Sequence, residues 1–194
     1  MNTLQAAQAT TVAIRRLPAS GNTALAASAL IQAALGTEFL LSGLNKVADP
    51  HFIANFDRFV RANPGAQRGI IAPLVQTLVL PYVGIAGPLI EISELALGVI
   101  LLLGAIEVGR RRFAGSFGQQ HGYEAAVALV AAFAGLAAAG LSLSIALIMG
   151  EPLPTIVPGR AFTTAIPVEL LLVILGLAVA WMEAGRFRVL ARKH

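Results

Sequence analysis

The sequence predicts an all-α integral membrane protein: a four-helix transmembrane bundle with a short interfacial helix between its first and second spans. Three observations carry that prediction. Hydrophobic residues make up 57% of the chain and charged residues 12%, against roughly 45–50% and 25% in soluble domains, and the mean hydropathy is +0.77. Four apolar runs, 23–44, 81–104, 123–149 and 166–182, are long enough to cross a bilayer or nearly so. Basic residues flank these runs and form no long basic patch, the distribution of a membrane topology signal and not of a nucleic-acid surface. No nucleic-acid partner is expected.

Residues 1–22 are polar, alanine-rich and free of acids, and carry Arg15 and Arg16. The apolar run that follows exceeds the 7–15 residues of a signal-peptide core, so an uncleaved first span preceded by a cytoplasmic tail is expected. Within that span Glu38, Ser42 and Asn45 follow an i, i+4, i+7 spacing with Lys46 just beyond, a polar stripe that Ala24, Ala27, Ile31 and Ala34 continue. Ala29, Gly36 and Gly43 form a second narrow seam on which another helix can sit closely.

Asp49-Pro50 ends the helix. The next segment places Phe52, Ile53, Phe56, Phe59 and Val60 on one face and Asp57, Arg58 and Arg61 largely on the other, the pattern of a helix lying in the membrane interface. Residues 70–80 are apolar but short and bracketed by Pro73 and Pro81. Their length fits an interfacial or re-entrant segment, or a kinked extension of the second span.

The second span, 81–104, carries the chemistry. Gly84, Gly87, Glu91, Glu94, Gly98 and Ala105 fall within roughly 80° of the helix circumference, so two carboxylates lie in a seam of small residues while leucine, isoleucine and valine face lipid. An ionised carboxylate in hydrocarbon costs on the order of 3 kcal/mol, and such groups normally face the bundle interior with a partner. After a loop with Arg110, Arg111, Arg112 and His121, the third span presents Glu124, Ala128, Ala131, Gly135, Ala139, Ser142 and Ala146 on one face, a ladder for tight packing. A proline-rich loop leads to the fourth span, where Glu169, Val173, Gly176, Ala180 and Glu183 share a face. Residues 23–183 form the membrane domain and 184–194 a basic tail.

With four spans, nine basic residues lie on the side of both termini and five on the other. Positive-inside bias then places both termini in the cytoplasm of a bacterial or archaeal inner membrane. Glu38, Glu91, Glu94 and Glu169 line a route from the outer face inward.

Two stretches resemble the DoxX/DoxD family of small four-helix membrane proteins: Phe39–Pro50, with a glycine and then a lysine three residues on (Gly43, Lys46), and the acid-containing, leucine-rich Glu94–Gly104. The resemblance covers roughly 35–104. It implies a membrane subunit of a redox system, such as a thiosulfate:quinone oxidoreductase, with a protein partner in that complex and membrane lipids around it.

The candidate catalytic residues are Glu91, Glu94 and Glu38, and the candidate cofactor-binding residues Lys46, Asn45, Ser42, Gly87 and Glu169. A quinone head group asks for hydrogen-bond donors, acceptors and a proton route, which these supply. The absence of cysteine excludes iron–sulfur clusters and thiolate metal sites on this chain. His51 and His121 fall in loops and His194 ends the chain, so no bis-histidine haem is expected, nor, without a Glu-x-x-His pair, a di-iron site. A non-catalytic anchor for a partner oxidoreductase and a small-solute transporter are the alternatives.

Overall fold

The computed structural model describes residues 19–113, 123–150, 154 and 166–191. The first part of the N-terminal tail, His121, most of the proline-rich loop and the last three residues lie outside the described residues. Helix α1 (Ala19–Ala48) is followed by two short helices, α2 (Phe52–Ala62) and α3 (Pro64–Arg68). A helical run then starts at α4 (Ala72–Leu74), passes through a π turn (Val75–Val79) and a 3-10 turn (Leu80–Tyr82), and continues as α5 (Val83–Phe113). Helices α6 (Glu124–Met149) and α7 (Val168–Ala191) complete the chain, and no strand occurs among the described residues.

Four of these helical segments are long and apolar enough to span a membrane, and the protein is a multi-pass membrane protein. Residues 70–80 take the last of the forms their sequence left open, an extension of the second span. The apolar run Ala72–Arg110 counts 39 residues, about 58 Å of helix against a hydrocarbon core of about 30 Å. Its beginning therefore belongs to a structure at the membrane surface. The π turn and Pro81, which lacks an N–H, interrupt the regular hydrogen-bond ladder there.

The bundle is built as two tight antiparallel pairs, α1 with α5 and α6 with α7, joined by lighter α5–α6 and α1–α7 contacts. Small residues set both pairs. A Cβ added at Gly36 would meet Leu102, and one added at Gly98 would lie 2.6 Å from the Leu40 nitrogen, so the Ala29–Gly36–Gly43 seam seats α5 as its pattern predicts. Between α6 and α7 the backbones nearly touch: a Cβ on Gly135 would stand 2.7 Å from the Gly176 carbonyl oxygen, and the reciprocal distance is also 2.7 Å. Ala128, Ala131, Gly135, Ala139, Ser142 and Ala146 of the predicted ladder are all buried.

Two cores result. The central one gathers Leu35, Phe39, Leu97, Leu101, Ala134, Ala138 and Val179. On α5 the lipid-facing set is Ile85, Leu89, Ile92, Val99, Leu103 and Ile106. Leu97 and Leu101 depart from the expected outward arrangement and are buried, as is Val108 beyond that run, because α5 is enclosed by α1 on one side and α6 on the other.

The second core lies at the end of the bundle where α1 finishes, and joins Phe56, Val60, Ala66, Val75 and Ile148. The apolar face of α2 thus seats on protein: Phe56 and Val60 are buried, Phe52 and Ile53 half-buried, and Phe59 is left exposed. Gly65 anchors this cap to α6, packing so closely on the Leu147 and Ile148 carbonyls that a Cβ has no room. Gly150 ends α6 at φ +80°, and its N–H bonds to the Ala146 carbonyl at 3.0 Å, a left-handed helix terminus that glycine adopts without penalty.

A candidate site built on a buried ion pair

Ser42 and Lys46, one turn apart on α1, share a face. Gly43 lies against Leu95 in the antiparallel α1–α5 pair, and this register puts Glu94 within reach of the Lys46 side chain. Lys46 Nζ donates to Glu94 Oε2 at 2.6 Å and to Ser42 Oγ at 2.9 Å. The Glu94 side chain is 2% exposed and that of Lys46 24%.

A carboxylate this buried requires a partner, because desolvation costs several kcal/mol per ion and only a close, well-aligned counter-charge offsets it. Ser42 fixes the ammonium from the other side. An ammonium has three donors; two are used among the described residues, and the third sits on a side chain that keeps access to the surface. The arrangement can donate a hydrogen bond to an incoming carbonyl.

The other candidate residues are placed around this pair or apart from it. Glu91 is half-buried one turn from Glu94 on the same helix, and Gly87 is buried beneath Ile53 of the cap. Gly84 of the same seam is exposed, with nothing near the position a Cβ would take. Glu38 and Asn45 are exposed on α1, turned away from Lys46. Glu169, half-buried, opens α7. The fold thus brings together Lys46, Ser42 and Glu94.

A second buried polar cluster lies toward the other end. Glu183 Oε1 accepts from Ser28 Oγ at 2.6 Å and from Gln32 Nε2 at 3.0 Å, Gln32 Nε2 also reaches Ser28 Oγ at 2.8 Å, and Arg186 Nη1 donates to Glu183 Oε2 at 2.9 Å. Gly104 leaves the space that the side-chain amide oxygen of Gln32, Oε1, occupies. Nearby in sequence, Arg110 bonds Glu107 at 3.1 Å and the Tyr123 hydroxyl at 2.7 Å. The apolar run of the fourth span ends at 182, which leaves Arg186 in the expected basic tail. The helix runs on to Ala191, and Arg186 folds back one turn onto Glu183. The signals were the Ser28/Gln32 pair at i, i+4 inside an apolar span and the Glu183/Arg186 pair at i, i+3.

Gln32 and Lys46 are fourteen residues apart on α1, about 21 Å, and the central apolar core lies between the two clusters. Fold and site together define a membrane four-helix bundle with an ion pair buried near one end and a polar network near the other. Compared with family models, curated proteins and solved structures, the chain gives no match.

Proposed function

We propose that this protein is a DoxX/DoxD-like membrane subunit of a redox system, and that the Lys46–Glu94 pair is its proton-handling site for a quinone or similar lipid-soluble redox molecule, in the outer half of an inner membrane. One observation supports this above others: the lysine and the glutamate of the two family-like stretches meet at 2.6 Å in a buried site. Residues separated by 48 positions converge there, and Ser42 completes the set.

The donor set fits a quinone carbonyl. Lys46 would present its third N–H to that oxygen, Ser42 would hold the ammonium in place, and Glu94 would exchange protons with it. A quinone takes up two electrons and two protons to become a quinol. With no cysteine on the chain, the electrons are assigned to a partner subunit that carries its own redox cofactor. The apolar core between the two polar clusters speaks against a continuous solute or proton route through the bundle.

The test is to purify the protein in mild detergent and measure quinone per chain, for wild type and for Glu94→Gln and Lys46→Met. Retention near one quinone per chain, falling in both variants while they remain folded, is the expected result. Quinone no higher than in an unrelated four-span protein would reject the site and favour the anchor function.

A further inference from the structure

We propose that the α1 face bearing Glu38 and Asn45 is a docking surface for a second copy of this chain within the membrane. Among the described residues of the four long helices, Glu38 is the one exposed acid; the others are buried or half-buried. It lies six residues from Gln32 and eight from Lys46, about 9 and 12 Å along the axis. That places it close to the middle of a hydrocarbon layer of about 30 Å. Asn45, also exposed, is two turns away on the same face, and Ala34 and Leu41 lie between the same edges, all four within an arc of roughly 60°.

Apart from Ser93 on α5, whose hydroxyl can bond to the preceding turn of its own helix, the exposed faces of the other spans within the bilayer carry mainly aliphatic and aromatic residues, such as Leu103, Ile106, Phe133, Leu136, Ile174 and Leu177. Lipid satisfies those faces and leaves a carboxyl and an amide without hydrogen bonds. A second copy meets this need by symmetry. All copies insert with one orientation, so a two-fold axis along the membrane normal brings each residue opposite itself at equal depth. A neutral carboxyl donates one hydrogen bond and accepts another, and an amide does the same. Two Glu38 side chains therefore satisfy each other, as do two Asn45 side chains, and Ala34 lets the helices approach. A foreign helix would have to offer matching groups at both depths, seven residues or about 10 Å apart.

The absence of cysteine makes single-cysteine cross-linking free of background. Full-length Leu41→Cys and, as a control on another exposed face, Leu103→Cys are oxidised in native membranes with a lipid-permeant catalyst. The expected result is a covalent self-dimer from Leu41→Cys and none from Leu103→Cys. Adding Glu38→Leu should lower the yield about fivefold or more, whereas Glu38→Gln, which keeps a donor and an acceptor, should retain it. No dimer, equal dimer from both positions, a yield indifferent to Glu38→Leu, or a cross-link only to a chain of different mass overturns the proposal.

Discussion

Lys46 and Glu94 can serve structure, chemistry or both, and single substitutions alone do not separate these roles. Removing one partner leaves the other charge buried, a loss of about 3–5 kcal/mol in comparable sites, whereas replacing both by apolar residues is often neutral. Lys46→Met and Glu94→Leu should each lower the thermal midpoint in detergent, and the double variant should recover much of it. Quinone retention should stay lost in the double variant. Recovery of retention together with stability would make the pair purely structural. Outside the membrane, Asp49 accepts from Asn55 Nδ2 at 2.8 Å and from the His51 N–H at 2.9 Å. The Asn55 bond first, then that of His51, hold its carboxyl below the ordinary 3.8. A lowered folded value means that the ionised turn adds stability above the unfolded pKa and loses it as pH falls through the folded one. Asp49→Ala should therefore destabilise the protein at pH 7, by an amount that shrinks as the pH is lowered below the ordinary 3.8, compared by thermal midpoint.

At the scale of helices, the molecule is two hairpin-like pairs held together at both ends. The Ser28–Gln32–Glu183–Arg186 network links α1 to α7, and the cap formed by α2, α3 and the π turn ties into the end of α6. Between these ends α1 and α7 meet more sparsely than the helices within each pair. Gly135→Val should disrupt the α6–α7 pair, since even a Cβ there falls 2.7 Å from a backbone oxygen that cannot rotate away. A cost of about 1–3 kcal/mol is expected, read as a lower thermal midpoint. Gln32→Leu should act differently. It leaves both pairs intact but removes a donor from buried Glu183, so the expected change is faster proteolysis or exchange near α7, with α6–α7 packing retained.

For the whole molecule, we propose that both termini lie on one side of the membrane, the side that the basic-residue bias of the sequence predicts to be cytoplasmic. A cytoplasm-dependent reporter fused after His194 should be active, and the same reporter inserted at Ala62–Asn63 in the cap should be silent. The opposite pair of results would reverse every depth assignment. An inactive C-terminal fusion on stable protein would mean an odd count of spans.

The sequence alone determined the all-α membrane architecture, the number of spans and most of their packing faces. Those properties follow from apolar run length and from small residues at helical spacing, which are local quantities: the Gly36–Gly43 seam and the Ala128–Ala146 ladder were legible because each is written on one helix. It placed Glu94 in a buried seam and Lys46 on a polar stripe for the same reason. It did not decide that these two side chains meet, nor that Glu38 and Asn45 turn outward from the stripe they share with Ser42. Those outcomes depend on the register and rotation of α1 against α5, fixed by Gly36, Gly43 and Gly98 fitting around Leu102, Leu95 and Leu40. Nor did it join Ser28 and Gln32 to Glu183, more than 150 positions away. A periodic pattern states which face of a helix is buried, but which residue lies across from it is settled only when two helices choose a common depth and rotation, and that choice belongs to the tertiary packing.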